Sequence, residues 1–234
     1  MIDLIVPVYN QPALTKEFIA SVNKNKNINL IFIDNNSDSE TKKVLQQSNA
    51  YIIVNKENKG YVEAINQGLK VATSEHICFG NNDILLPKDM FVTLEEKLDE
   101  TDIVAPLSNN ISATKHELLI DFEYSSYAQL NSFFNELKKK NKGILTPVDF
   151  VYGHCMLLKR SVVEKIGGLD ENFGMGNYDD IDFCKRAKQD GFQISLANDC
   201  FVYHHCHATF NKTNIDVNSL IKKNKDYFEK KWQE

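Results

Sequence analysis

Short apolar runs rich in β-branched residues alternate, over the first hundred residues, with longer stretches whose apolar positions recur at helical spacing. That alternation predicts βαβ units around a parallel sheet. Ile2 to Val8 reads as a buried strand, and Leu14, Phe18 and Val22 mark one face of the helix after it. Leu30 to Ile33 is the next apolar run, stopped by the polar cluster Asp34, Asn35, Asn36, Ser37 and Asp38. A helix is predicted from Ser39 to Gln47, a strand at Tyr51 to Val54, and a helix opened by Gly60 that carries Val62, Ile65, Leu69 and Ala72 on one face. His76 to Phe79 is a fourth strand, Pro87 fits the first turn of a further helix, and Ile103 to Ala105 closes this half.

The second half is less regular. Residues 109 to 121 read as a loop, Tyr127 to Lys140 as a helix, Val148 to Leu158 as a strand broken at Gly153, and Gly167 to Gly176 as an irregular loop. A helix from Asp180 to Gln189 ends at Gly191, strands follow at Phe192 to Leu196 and Phe201 to Tyr203, and a charged amphipathic helix ends the chain. That last helix suits closing the core, with docking on a membrane face or a partner as the alternative. Polar residues end the strands at their carboxyl side: Tyr9 and Asn10, then Asp34 to Ser37, then Asn81 to Asp83. In an open parallel sheet that edge is where ligands bind.

Composition narrows the chemistry. The 234 residues are 42% hydrophobic and 25% charged, with 27 basic against 32 acidic side chains, so the formal charge is −5. This is globular composition, and its mild acidity argues against nucleic acid as the main partner. No apolar run approaches the length of a membrane span and the first residues lack the pattern of a signal peptide, so a cytoplasmic protein is expected. The five cysteines (Cys78, Cys155, Cys184, Cys200 and Cys206) are scattered without CxxC spacing, as expected of reduced thiols. The lysine cluster at Lys138, Lys139, Lys140 and Lys142 reads as a solvated helix end.

No glycine-rich phosphate loop follows the first strand, which runs into Pro7, Val8, Tyr9, Asn10 and Gln11. A bound phosphate would therefore need side chains or a metal. Asp34 could accept hydrogen bonds from a base or ribose, or cap its own turn. Asn81, Asn82 and Asp83 offer oxygen donors for a hard divalent cation beside a diphosphate, or simply a turn. Asp179, Asp180 and Asp182 could complement a helix dipole, while the adjacent pair could also hold one raised pKa and serve as a general base. His204, His205 and His207 follow a strand on which neighbouring side chains alternate, so they cannot all face one metal site. Zinc with Cys206 is a rival use of that cluster.

Taken in order, these segments resemble the family 2 glycosyltransferases of GT-A fold, of the bacterial rhamnosyltransferase-like kind. The likeness runs through Ile5 to Asn10, Ile33 to Asp38, Asn58 to Tyr61 with Ala64 to Gly68, Asn81 to Asp83, Gly153 to Arg160 with Ile166 to Phe173, and Asp179 to Arg186. It implies an α/β fold with a Rossmann-like, mostly parallel central sheet flanked by helices and a smaller mixed acceptor-side region. Residues 1–106 would be the nucleotide-sugar half and 107–234 the acceptor-binding and catalytic half of one domain. The implied activity is transfer of a sugar, with inversion, from a UDP- or dTDP-linked donor to a hydroxyl of a glycan, lipid-linked glycan or protein, in surface polysaccharide or glycoconjugate synthesis at the inner face of the membrane. Asp180, with Asp179 as alternate, would be the base. Pro7, Val8, Tyr9, Asn10, Asp34, Asn36, Asn58, Gly60, Asn66, Asn82 and Asp83 would bind the donor. Gly153, His154 and Asp182 would border the donor sugar or acceptor. Asp83 with His204 or His205 would hold Mg2+ or Mn2+. Two positions depart from the family pattern: Asn81 stands where many members carry Asp, and the family's Glu-Asp pair is Asp179-Asp180. A sugar nucleotidyltransferase and a catalytically silent nucleotide-sugar binder are the competing readings.

Overall fold

A computed structural model describes residues 1–109, 119–205 and 216–233. The first half follows the predicted alternation: β1 (Ile2–Val8), α1 (Pro12–Val22), β2 (Ile28–Asp34), α2 (Ser39–Gln46), β3 (Tyr51–Val54), α3 (Gly60–Val71) and β4 (His76–Gly80). The rest comprises β5 (Ile84–Leu85), α4 (Met90–Glu95), β6 (Ile103–Ser108), α5 (Tyr127–Lys140), β7 (Leu145–Pro147), β8 (Cys155–Lys159), α6 (Arg160–Ile166), α7 (Asp179–Gln189), β9 (Ile194–His204) and α8 (Val217–Trp232). One sheet runs in the order β3-β2-β1-β4-β8-β6-β9-β5, with β7 on β9. It is parallel from β3 through β4. Beyond β4 it is mixed, because β8 lies antiparallel between β4 and β6.

Strand alternation sorts the core into two layers. Leu4, Val6 and Val8 of β1 pack with Phe18 of α1, Leu45 of α2 and Phe91 of α4. On the opposite face Ile5, Ile31 and Ile33 pack with Val62 and Ile65 of α3 and Phe183 of α7. Helix α3 comes so close to the sheet that a Cβ on Gly68 would lie 2.3 Å from Ile5 Cγ2. Glycine there is a packing requirement.

Several boundaries differ from the sequence pattern for identifiable reasons. The two strands expected around 192–203 are one, β9, whose register against β6 shifts between Pro106 and Leu107. The apparent turn signal inside it is buried and satisfied: Asp199 pairs with Lys97 at 2.6 Å and accepts the Gly143 N–H at 2.8 Å. Pro87 precedes α4 instead of opening it, and its carbonyl accepts from Asn25 at 3.0 Å. Of the strand expected over Val148 to Leu158 only the part from Cys155 onward forms, as β8, while β7 ends at Pro147, before the expected range. Helix α6 follows β8 with no residue between them, so no turn signal marks its start. The C-terminal helix does close the core, burying Phe228 and docking Trp232 Nε1 on Asp182 at 3.0 Å. Cys78, Cys155, Cys184 and Cys200 are free and buried, while Cys206 and His207, with the zinc alternative they carried, lie outside the described residues. No helix among the described residues is long and apolar enough to cross a membrane.

Candidate active site

The carboxyl edge of the parallel strands is laced together by its own polar loops. Asp34 Oδ1 accepts the Ser37 N–H at 2.8 Å, and Ser37 Oγ accepts the Asn10 N–H at 3.0 Å. Asn10 Oδ1 in turn accepts the Asp38 N–H at 2.8 Å. Asp34 is buried and caps its turn, as one of its two readings required. Val8 lies in the core, its carbonyl taking the Asn35 N–H at 2.8 Å, while Pro7 and Tyr9 are half-buried beside it. Asn10, Gln11 and Asn36 all have positive φ, so the chain reverses sharply after both strands. Asn36 is exposed at this edge.

From there a chain of contacts crosses to the second half. Asn35 donates from Nδ2 to the Gly60 carbonyl at 3.0 Å, and Asn58 Oδ1 accepts the Gly60 N–H at 3.0 Å. Gly60 has φ 83°, and a Cβ there would lie 2.7 Å from the Gly174 carbonyl oxygen. The next residue, Tyr61, donates its hydroxyl to the Gly153 carbonyl at 2.9 Å. Gly153 in turn donates its N–H to Asp180 Oδ2 at 3.0 Å.

Asp180 also accepts the Ile181 N–H at 2.9 Å. Burial pushes its carboxyl up to about 6, against the pull of those two donors. Asp179 is more deeply buried, and its Oδ2 has no hydrogen-bond partner among the described residues. Burial first, and the neighbouring Asp180 second, hold its carboxyl well above the usual range. Two neighbouring buried carboxyls do not both ionise readily, so the pair titrates as a unit.

On the other side of Gly153, the ring of His154 stacks on that of His204, centroids 5.0 Å apart. Burial and the nearby His204 push His154 down to about 3, so it is neutral. Its carbonyl accepts the Asn81 N–H at 3.1 Å. His204 Nε2 lies 3.1 Å from Asp83 Oδ1. Burial opposes ionisation of Asp83, but the His204 hydrogen bond and charge prevail and lower its pKa. His205 points elsewhere: its backbone N–H binds the Asp83 carbonyl at 2.9 Å, but its ring nitrogen lies 3.7 Å from Glu17. Asn82 is buried and ties this corner to α1 through Thr15 Oγ1 at 2.8 Å.

The donor set suits a shared cation rather than a closed cage. Asp83 and His204 give one oxygen and one nitrogen, and the described residues contain no group of three or more His, Cys, Asp or Glu side chains placed to hold a metal. Ions such as Mg2+ are commonly held by one or two carboxylates plus substrate phosphates.

Two expected site residues lie outside this network of contacts. Asp182 is fully buried and committed to Arg186 at 2.9 Å, Lys231 at 2.7 Å and Trp232 at 3.0 Å. Asn66 binds the backbone of Leu169 through both its amide nitrogen and its oxygen, each at 2.9 Å, which fastens α3 to the segment before α7. Asn35, Tyr61 and Asn224 also hold the site's framework together; the first two lie in motifs that carry the family likeness but had no role of their own, and Asn224 lies in none. Their partners lie far along the chain, so no local pattern shows what they bind.

Comparison with known proteins matches residues 3–167 to the model of glycosyl transferase family 2. A low-salt glycan biosynthesis hexosyltransferase, Agl10 of Haloferax volcanii, is 28% identical over 177 residues, covering 70% of this chain and 54% of that protein. The glycosyltransferase GlyG of Streptococcus pneumoniae is 28% identical over 116 residues, covering 47% of this chain and 38% of its own length. The chain thus aligns with about half, or less, of each of these relatives. Among solved structures, the Pyrobaculum calidifontis mannosyltransferase PcManGT in complex with GDP-Man and Mn2+ superposes with a TM-score of 0.63 at 18% identity, over 87% of this chain and 56% of the other. Residues 1–349 of Staphylococcus aureus TarS in complex with UDP give 0.63 at 16% identity, over 86% and 59%. The shared architecture is the GT-A fold.

Proposed function

The chain belongs to glycosyl transferase family 2, and from that premise we propose that it transfers a glycosyl group from a nucleoside diphosphate sugar to an acceptor hydroxyl with inversion at the anomeric carbon. The observation that carries this reading is the dipeptide Gly153-His154, which touches both chemical ends of the site. Gly153 binds Asp180, and His154 stacks on the histidine that binds Asp83. Inversion by a single displacement needs a base on one side of the reacting carbon and charge stabilisation on the other.

Asp180 supplies the base. Its carboxyl, held near 6, is mostly ionised at neutral pH yet basic enough to accept a proton in the transition state. The acceptor oxygen attacks the anomeric carbon, its proton passes to an Asp180 oxygen, and the bond to the diphosphate oxygen breaks with its electron pair. Burial and the neighbouring Asp180 hold the carboxyl of Asp179 well above the usual range, so of the two Asp180 ionises the more readily. Asp83 and His204 face the diphosphate side. Asp83 and His204 would hold a divalent cation there, which would supply Lewis-acid neutralisation of the leaving group; the Mn2+ and GDP-Man in the mannosyltransferase complex support this reading. The turn Pro7 to Asn10, with Asp34 and Asn36, receives the base and ribose, and Asn58 and Gly60 shape the entrance to α3 beside them. Asn82 fixes the loop that carries Asp83, and His154 borders the donor sugar. The acceptor is a glycan, lipid-linked glycan or protein hydroxyl in surface glycoconjugate synthesis, reached from the cytoplasmic side.

The test is Asp180→Asn in an assay of nucleoside diphosphate release from UDP- and GDP-sugars. Turnover should fall by at least about 10²-fold, the usual contribution of a positioned base. Donor binding, measured by calorimetry, should stay within about threefold, since the substituted group acts on the acceptor proton. Near-normal turnover in this variant would end the assignment.

A further inference from the structure

We infer that Tyr61 is a positioning residue: its hydroxyl holds Gly153, and Gly153 in turn holds the carboxylate of Asp180. The inference rests on the reading of Asp180 as the base. Tyr61 reaches the two glycines that flank the acid pair, Gly153 and Gly176, from α3. Its hydroxyl donates to the Gly153 carbonyl at 2.9 Å, and the Gly153 N–H donates to Asp180 Oδ2 at 3.0 Å. The same hydroxyl occupies the space of a missing side chain, because a Cβ built on Gly153 would lie 2.9 Å from it. At the other end of the residue, a Cβ on Gly176 would meet Tyr61 Cβ at 3.4 Å and Asp179 Oδ1 at 3.6 Å. Two glycines therefore form a cradle for this tyrosine, and each lies beside one carboxylate of the pair.

The tyrosine is itself held firmly. It follows Gly60, whose positive φ and close approach to Gly174 leave the start of α3 a single path. The Val62 N–H fastens that turn to the Gly174 carbonyl at 3.3 Å. Burial, with Asp179 and Asp180 nearby, keeps the phenol protonated and therefore a hydrogen-bond donor throughout the working range. Misplacing a reacting group costs rate steeply. The groups facing Asp180 are Asp179 and Cys184 on α7, Tyr61 on α3 and Tyr152 just before β8.

The experiment uses the full chain and needs no donor. Asp residues are labelled with 13C at the carboxyl, and the Asp180 resonance is identified by its absence in Asp180→Asn. Tyr61→Phe removes only the hydroxyl. Once Gly153 is released, its N–H, which lowers the pKa of Asp180, is held less well, so the Asp180 midpoint should rise by at least about 0.5 unit. Thermal unfolding of Gly153→Ala, Tyr61→Phe and the double variant supplies the second readout. Gly153→Ala should lower Tm, and the double variant should lose clearly less than the sum of the two, because the phenylalanine leaves room for the methyl. An unchanged Asp180 midpoint in Tyr61→Phe, or strictly additive Tm losses, would overturn the inference. Loss of the base assignment would appear separately, as retained turnover in Asp180→Asn with the midpoint shift intact.

Discussion

His204 presents Nε2 to Asp83 Oδ1 at 3.1 Å, while the adjacent His205 turns its ring to Glu17. Strand β9 ends at His204, and beyond it His205 turns off with its backbone N–H on the Asp83 carbonyl at 2.9 Å. Only one of the two histidines is thus placed to share a cation with Asp83. Calorimetric titration of UDP and GDP with and without Mn2+ should therefore separate the pair. Asp83→Ala and His204→Ala should weaken metal-dependent nucleotide binding at least about tenfold, whereas His205→Ala should change it less than about threefold. Equal titrations with and without Mn2+ in the unmodified protein would remove the metal role altogether.

The raised pKa of Asp180 has a thermodynamic consequence of definite sign. Its ordinary value is 3.8 and its folded value about 6, so between these limits the folded state binds a proton that the unfolded chain has released. Stability from this group therefore falls as pH rises from 4 to 6, and the full cost persists above. Asp180→Asn removes the cost. A rise from 3.8 to about 6 is worth about 3 kcal/mol, so at pH 8 the variant should unfold roughly 6–12 °C above the parent for a chain of this size. The difference should shrink as pH falls toward 4. A gain that is constant with pH would show that ordinary packing, not ionisation, is responsible.

Gly68→Ala tests how tightly α3 sits on the sheet. Alanine in a helix interior is intrinsically better than glycine by about 1 kcal/mol. Against that, the new methyl would lie 2.3 Å from Ile5 Cγ2, on a fully buried side chain at the sheet centre. Overpacking of this kind costs about 1–3 kcal/mol, so the clash should prevail and Tm should drop by several degrees. Turnover per folded molecule should be unaffected. A Tm equal to or above that of the parent would mean that α3 can lift from the sheet at little cost.

The parallel half was legible because its strands are continuous apolar runs and each ends in a polar cluster at the ligand edge. The separation of His204 from His205 was legible only in part, since alternation sets neighbours apart without saying which of them meets Asp83. Asp182 was not. It belongs to an acidic trio by sequence, but its partners Lys231 and Trp232 lie on another helix some fifty residues on, as the bonds at 2.7 and 3.0 Å record. Likewise Asn198 and Asp199 look like a turn until Lys97 and Gly143 are brought against Asp199. Local pattern reports the period and the caps. It does not report which distant group satisfies a buried charge.

Asn224 of α8 shows how a distant residue shapes the acid pair's surroundings. It is buried, and its amide nitrogen donates to the carbonyls of Phe173, Gly176 and Asn177 at 2.8, 2.7 and 3.1 Å. With two hydrogens for three acceptors, at least one bond is shared. These carbonyls belong to the loop that passes through Asn177 and Tyr178, both at positive φ, directly into Asp179 and Asp180. Asn224→Leu keeps the approximate volume but leaves the carbonyls without their donor, and each unsatisfied buried group costs about 1–3 kcal/mol. Allowing for local relaxation, a loss of about 2–4 kcal/mol is expected, with faster amide exchange across residues 173–178. Asn224→Asp should fare no better, because a carboxylate would set acceptor against acceptor. Lys223→Ala, at an exposed position on the same helix, is the comparison. If Asn224→Leu melts at the same temperature as Lys223→Ala, with unchanged exchange in the loop, α8 does not clamp it.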